Sequence, residues 1–290
     1  MNPRATLTET ERVDLARRVE TALEEDLGDG DLTSRALVPD EATAEARIVA
    51  RRPGILAGLP AAEEVFRRVD PVLLFESLAS DGERIEAGRK VARIAGRARS
   101  LLAGERTALN FLQRLSGVAT LTRRFADAVE GTGARILDTR KTLPGMRRLD
   151  KYAVRAGGGS NHRMGLFDQI LIKENHLAAS GLEAGGAVER AREKAPSGTF
   201  VEVEVETLQQ FRRALEAGPD AILLDDMGRE EIAEAVRLRG SARTPALEVS
   251  GGVSLETVRG LAELGVDRIS VGALTHSAPA LDLALEMVLP

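Results

Sequence analysis

Between Asp138 and Lys173 the chain reads DTRKTLPGMRRLDKYAVRAGGGSNHRMGLFDQILIK. This stretch holds eight basic and three acidic residues, a local net charge of +5 in a protein of formal net charge −5. A nucleic-acid binder more often spreads its basic excess over a whole face or domain, so the island points instead to an anionic small molecule. Arginine offers the planar fork that carboxylates and phosphates fit, and the stretch holds five of them. His162 and Arg163 follow the glycine run 157–159, which reads as a loop that carries both to the ligand. Lys173 could supply a fixed positive charge for a carboxylate or phosphate. A lysine placed like Lys173, at the end of QILIK, could also form a Schiff base with a carbonyl substrate. The three histidines (162, 176 and 276) show no H-x-x-H or H-E-x-x-H spacing for zinc.

Two further groups could do chemistry. Glu204 and Asp225 end successive apolar runs, FVEVEVE and AILLDD. Paired carboxylates there could bind Mg²⁺, hold sugar hydroxyls or stabilise a developing cation. The alternation of FVEVEVE turns Glu202, Glu204 and Glu206 to one side and the valines to the other. Buried charge needs a partner, so Glu202 and Glu206 also fit a plain structural pairing with lysine or arginine. The second group comprises Ser250-Gly251-Gly252 and Val271-Gly272-Ala273. Glycine lets a backbone N–H approach an oxyanion closely, and loops after late strands of α/β barrels bind phosphate in this way. The alternative for each is a simple strand-to-helix turn. Arg106, in ERTALN, reads on spacing alone as a surface arginine beside Glu105.

These groups need a frame to position them. From residue 133 onward, short apolar runs recur and end in polar or glycine clusters. They are ARILD (134–138), QILIK (169–173), FVEVEVE (200–206), AILLDD (221–226), ALEVSGG (246–252) and RISVGA (268–273). Helical patterns at 208–218, 228–239 and 254–265 separate several of them, the signature of parallel βαβ units. Chemistry at nearly every strand end, from Asp138-Thr139-Arg140-Lys141 to Gly272, favours an α/β barrel over an open doubly wound sheet, which focuses its ligand at one switch point. Upstream, Thr8 and Glu11 form a capping-box pair, and Val13, Ala16, Val19 and Leu23 show helical spacing. Residues 42–58 and 72–95 look β-rich, with turns at Gly82 and Gly88. Residues 104–129 read as a helix with Leu109, Leu112 and Leu115 as its apolar stripe. The segment 81–96 has the alternation of a carrier module but lacks a lysine at a hairpin tip.

Composition narrows the options further. The chain has 290 residues, 43% of them hydrophobic and 29% charged, as expected of a soluble globular protein. It has no Trp and one Tyr, which removes the stacking platforms that single-stranded nucleic acid needs. The absence of Cys excludes disulfides, thiolate metal sites and a cysteine nucleophile, and it fits a reducing compartment. The N-terminal stretch shows no apolar h-region, and no apolar run approaches the ~18 residues of a membrane span. The expectation is a cytoplasmic protein without membrane or nucleic-acid partners.

The stretch from Asp138 to His176 closely resembles the quinolinate phosphoribosyltransferases, also called carboxylating nicotinate-nucleotide pyrophosphorylases. ERTALNFLQRLSGVAT, VEVEVETL, ILLDDM, LEVSGGVSLETV and ISVGALTHSAPALD resemble the same family in the same order. The resemblance implies an N-terminal α/β sandwich over residues 1–116, completed by about 275–290, and an open α/β barrel over 117–274. It implies transfer of a phosphoribosyl group from 5-phosphoribosyl-1-pyrophosphate (PRPP) to quinolinate with Mg²⁺, yielding nicotinate mononucleotide, pyrophosphate and CO₂ in NAD synthesis. It assigns substrate contacts to Thr139, Arg140, Lys141, His162, Arg163 and Lys173. Glu204 and Asp225 become the sugar and Mg²⁺-linked carboxylates, and Ser250–Gly252 and Val271–Ala273 the phosphate loops. Lys141, Lys173, Glu204 and Asp225 are the expected catalytic set. The family also implies at least a homodimer, with Arg106 reaching the neighbouring site to contact a quinolinate carboxylate. The rival readings are a related phosphoribosyltransferase-like protein associated with molybdenum transport, and a Schiff-base lyase using Lys173.

Overall fold

The structure is a computed structural model and describes residues 6–288. The first and last residues of the expected sandwich segments, 1–5 and 289–290, lie outside the described residues. In chain order the elements are α1 (Glu9–Leu27), α2 (Leu32–Leu37), β1 (Thr43–Ala50), β2 (Gly54–Ile55), α3 (Leu59–Val69), β3 (Leu74–Ser77), β4 (Arg84–Ile85), β5 (Lys90–Arg97) and α4 (Ala98–Ala128). Then come β6 (Arg135–Leu137), α5 (Arg147–Ala156), β7 (Ile170–Ile172), α6 (Glu174–Ser180), α7 (Ala184–Lys194), β8 (Val201–Val205) and α8 (Leu208–Ala217). The chain continues through β9 (Ala221–Asp225), α9 (Arg229–Arg239), β10 (Ala246–Ser250), α10 (Val258–Ala262), β11 (Arg268–Ser270), α11 (Ala273–His276) and β12 (Leu283–Val288).

These elements form two compact units. One holds residues 1–123, 142–158 and 274–290, and the other holds 124–141 and 159–273.

The first unit is built on an antiparallel sheet of order β12-β1-β5-β3. The C-terminal strand β12 pairs with β1 from Glu45↔Val288 to Ala50↔Leu283, so chain ends far apart in sequence share one sheet. Thr8 and Glu11 make the expected capping box, and Glu11 is buried because it also pairs with Arg155 of α5 at 2.8 Å. The α1 stripe differs from the expected one. Leu15, Val19 and Leu23 are buried, whereas Val13 is 59% exposed. Spacing of three and four is met by both sets, and packing chose the one in line with Glu11. Helix α4 begins at Ala98, six residues before the expected start at 104, and buries Leu109, Leu112 and Leu115 as the spacing predicts.

Helix α5 has no counterpart among the elements expected from the sequence. Its residues from Leu149 to Val154 are all buried, Asp150 and Lys151 included. Arg114 of α4 donates to Asp150 at 3.1 Å and to the Thr275 carbonyl. The Tyr152 hydroxyl donates to Asp81, whose carboxylate also accepts the Gly58 and Leu59 amides at 2.7 and 3.1 Å. Asp81 thereby caps α3 from a distant segment, where Gly58 offers no side chain to do so.

The second unit is a six-stranded sheet of order β6-β11-β10-β9-β8-β7, parallel at every pairing. Strands β6 and β7 are its edges, so the barrel is open, as expected. All six strands end on one side, which is where the chemistry-bearing residues cluster in sequence. β8 is buried along its full length, its valines on one face and Glu202 and Glu204 on the other. Glu206 departs from the expected alternation. The strand stops at Val205, and Glu206 is exposed, its amide donating to Gln210.

Candidate active site

Apart from His162 and Arg163, each barrel residue proposed for the site lies at or just after a strand end. Thr139, Arg140 and Lys141 follow β6, with the Lys141 amide donating to Thr139 Oγ1 at 3.0 Å. Ser160 bridges to Leu137 beside β6, which brings the loop carrying His162 and Arg163 alongside it. The carboxylate of Asp138, fully buried, fixes that loop. It accepts the His162 amide at 2.9 Å and the Asn161 side-chain amide at 2.5 Å.

Lys173 follows β7 and pairs with Glu204 of the adjacent β8 at 2.5 Å. Burial is the main influence on Glu204 and pushes its pKa up to about 7, even though the Lys173 ammonium pulls it down. Glu174 and the nearby Asp225 reinforce the rise. Asp225 ends β9, level with Ser250 at the end of β10.

The glycine turn after β10 is tightly specified. Gly251 has φ +94°, and a Cβ there would meet Asp226 Oδ1 at 2.0 Å. Asp226 itself has φ 51°, unusual for a residue with a side chain, and its amide donates to the Ser250 carbonyl at 3.2 Å. After β11, the Val271 amide donates to the Leu137 carbonyl at 2.9 Å, so that N–H serves the sheet. Gly272 and Ala273 follow, Ala273 opening α11.

Arg163 is buried at 7% exposure. Burial lowers its pKa from the ordinary guanidinium range, and the charge of Arg140 lowers it further. Two guanidinium groups that repel one another at the end of a sheet form a site whose energy falls when an anion arrives.

Beside Glu204 lies a group that the motifs did not bring together, with Glu202 one pleat earlier on β8 and Glu248 of β10 level with Glu204 in register. His162 Nε2 is 3.1 Å from Glu202 Oε2 and 3.4 Å from Glu248 Oε1. Both carboxylates are fully buried. Ser270 donates its hydroxyl to Glu248, and Arg268 stands 4.0 Å from the same carboxylate. Burial raises the pKa of Glu202, and the charge of Glu248 raises it further. Burial works against a charged imidazole, yet hydrogen bonds to the two carboxylates outweigh it and push His162 up to about 9. The main chain acts in the other direction, because the Arg163 amide donates to Nδ1 at 2.7 Å. That contact makes Nε2 the site of the proton in the neutral ring. Glu202 Oε1 and Glu248 Oε2 are buried without hydrogen-bond partners. Such atoms cost about 1–3 kcal/mol each, so the fold gives up stability to keep them. Glu248 was legible in principle, since ALEVS alternates as VEVEV does and turns it to the same face.

Arg106 belongs to the first unit. It is exposed on α4, between the half-buried Glu105 and the buried Thr107.

The comparisons with known proteins agree with this architecture. Residues 31–116 match the model of the quinolinate phosphoribosyl transferase N-terminal domain, and residues 118–286 match that of its C-terminal domain. A quinolinate phosphoribosyltransferase [decarboxylating] of Nicotiana tabacum is 43% identical, covering 94% of this chain and 82% of the relative. A probable nicotinate-nucleotide pyrophosphorylase [carboxylating] of Bacillus subtilis is also 43% identical, covering 91% of this chain and 90% of the relative. The crystal structure of NadC from Streptococcus pyogenes superposes with a TM-score of 0.91 at 39% identity, covering 98% of this chain and 99% of that one.

Proposed function

The chain belongs to the quinolinate phosphoribosyltransferase family, and on that premise we propose that its strand-end site joins quinolinate to PRPP in NAD biosynthesis. The products are nicotinate mononucleotide, pyrophosphate and CO₂. The observation that carries this reading is the Arg140–Arg163 pair beside the Lys173–Glu204 ion pair. A dianionic pyridine dicarboxylate offsets the first pair. An electron-poor sugar carbon finds negative charge at the second.

In the proposed reaction the pyridine nitrogen forms a bond to C1 of the ribose as the C1–O bond to pyrophosphate breaks. Pyrophosphate keeps the electron pair. Glu204 and Asp225 face the oxocarbenium-like carbon, and their negative charge stabilises it. Arg140, Lys141 and Arg163 hold the carboxylates of quinolinate, which aligns the ring nitrogen, while His162 stands beside them with Nε2 turned to Glu202 and Glu248. Ser250–Gly252 and Gly272–Ala273 offer backbone groups to the phosphates. The ring, now cationic, draws electrons from the bond to its 2-carboxylate. CO₂ leaves, and the ring carbon takes a proton. Lys173 acts as a fixed cation. Its Nζ is engaged by Glu204 at 2.5 Å, whereas Schiff-base chemistry needs the amine free to attack a carbonyl.

Mg²⁺ is the expected cofactor. Glu204 and Asp225 are hard oxygen donors and fit it, but two carboxylates make no cage, so they would hold the ion together with substrate phosphates. When bound, the ion neutralises charge building on the departing pyrophosphate. We further propose a homodimer in which Arg106 of one subunit contacts quinolinate in the site of the other. The lack of cysteine supports a reducing compartment such as the cytoplasm. Among the described residues no helix is long and apolar enough to cross a membrane.

The test is product formation from quinolinate, PRPP and Mg²⁺, with nicotinate run in parallel. Nicotinate mononucleotide and CO₂ from quinolinate alone are expected. A folded protein that gives no product from quinolinate overturns the reading and moves the search to other acceptors, including those of the molybdenum-associated relatives.

A further inference from the structure

We infer that Glu202 and Glu248 are positioning residues that fix the His162 ring and, through it and Gln169, hold Arg163 in the geometry that grips the acceptor's carboxylates; the inference rests on the function proposed above. Neither glutamate reaches the mouth of the site. Both are fully buried, and Glu202 precedes Glu204 by two residues, about 7 Å deeper along the strand. Their route to a substrate is therefore through other side chains.

Glu202 is the hub of that route. Its Oε2 lies 3.1 Å from His162 Nε2 and also accepts from the Gln169 side-chain amide at 3.3 Å. Gln169 in turn offers its main-chain carbonyl to Arg163 Nη1 at 3.4 Å. A single carboxylate thus orients the imidazole directly and the guanidinium through one intermediary. Glu248 braces the same imidazole from β10 and is itself braced by the Ser270 hydroxyl.

The Arg163 amide locks the other end of the ring by donating to Nδ1, and Asp138 holds the His162 amide. With Nδ1 occupied as an acceptor and Nε2 facing two carboxylates, the ring cannot turn over without losing three contacts. An apolar layer at this depth would pack as well and would leave no orphaned oxygens. The buried carboxylates are explained by what they orient above them.

The test separates positioning from general stability. Glu202→Ala and Glu248→Ala should raise the KM for quinolinate about tenfold, the worth of a hydrogen bond to a charged group, and leave the KM for PRPP within about twofold. Glu202→Gln should recover most of the loss, because it keeps an acceptor for Nε2–H and copies a protonated carboxyl. Folded variants in which neither KM moves, or in which both rise together, overturn the inference.

Should the alanine variants fail to fold, ¹⁵N NMR of the wild-type imidazoles decides. There are three histidines, so His176→Gln and His276→Gln variants assign the His162 signals. The expected result, read above the pH at which the ring loses its first proton, is a neutral ring protonated on Nε2; a neutral ring protonated on Nδ1 overturns the inference. Because the three donor atoms lie within 4.8 Å of one another, metal analysis of the purified protein belongs to the test. A stoichiometric ion that is lost in Glu202→Ala would make these residues ligands instead. A wild-type protein that shows the expected tautomer but turns over no quinolinate sinks the proposed function and leaves the side-chain arrangement intact.

Discussion

Gly251 and Asp226 lie so close that a side chain on the first would collide with the carboxylate of the second. Each sits just past the end of its own strand, and both have positive φ. Gly251→Ala should therefore lose about 1–2 kcal/mol from backbone conformation alone, before the clash with Asp226 is counted. Displacement of the turn should raise the KM for PRPP more than that for quinolinate. Thermal melting and steady-state kinetics on the same preparation check both effects.

Glu204 titrates near neutrality, with burial the main cause and a pKa of about 7. If its carboxylate stabilises the reacting carbon, kcat/KM for PRPP rises with pH through about 7, and this limb is lost in Glu204→Gln. The stability effect has the opposite sense. An unfolded glutamate loses its proton near pH 4.5, so between there and about 7 the folded protein binds more protons than the unfolded chain. Glu204's contribution to stability is thus present in acid and lost as the pH climbs through 7. Lys173→Ala removes the cation that pulls this pKa down and should move the titration upward. Carboxyl ¹³C NMR follows that shift without relying on activity.

Arg106→Ala should abolish most activity with little change in melting temperature, since the side chain is exposed. Mixed in equal amounts with Lys173→Ala, it should regain about a quarter of wild-type activity, because half the dimers are hybrids and each hybrid holds one intact site. Failure to regain activity after demonstrated subunit exchange removes the shared-site proposal.

With no cage for the ion, Mg²⁺ should bind the protein alone too weakly to detect and should bind well with PRPP present. Calorimetric titration with and without PRPP reads this directly, and EDTA should stop turnover reversibly. Tight binding without PRPP would contradict the assignment to Glu204 and Asp225.

Asp150 is fully buried against Arg114, which stays 19% exposed. Asp150→Ala should cost about 3 kcal/mol, the low end for removing one partner of a buried pair, because the arginine keeps some solvent. The measurement is chemical denaturation. A loss under about 1 kcal/mol would mean that Arg114 finds its compensation elsewhere.

The strand ends were legible in the sequence because period-2 apolar runs closed by charge or glycine leave few other readings. All six runs became parallel strands, and their terminal residues fall on one side because every pairing is parallel. The resemblance carried by NHRMGLFDQILIKENH and the motifs around it identified the family, since long ordered motifs are specific where SGG or VGA alone are not.

Other features depended on contacts between residues far apart in the chain. Helix α5 sits within the cationic stretch and packs in the other unit. Its buried Asp150 and Lys151 look solvated in sequence, since burial of a charge depends on partners such as Arg114 that no local pattern reveals. Periodicity turned Glu202 inward, yet only the convergence of β8, β10 and the loop after Ser160 brought it to His162 with Glu248. Local sequence dictates which face a side chain takes, because that follows from backbone geometry. Which charges meet across a sheet depends on strand order and register, which the packing of the whole core decides.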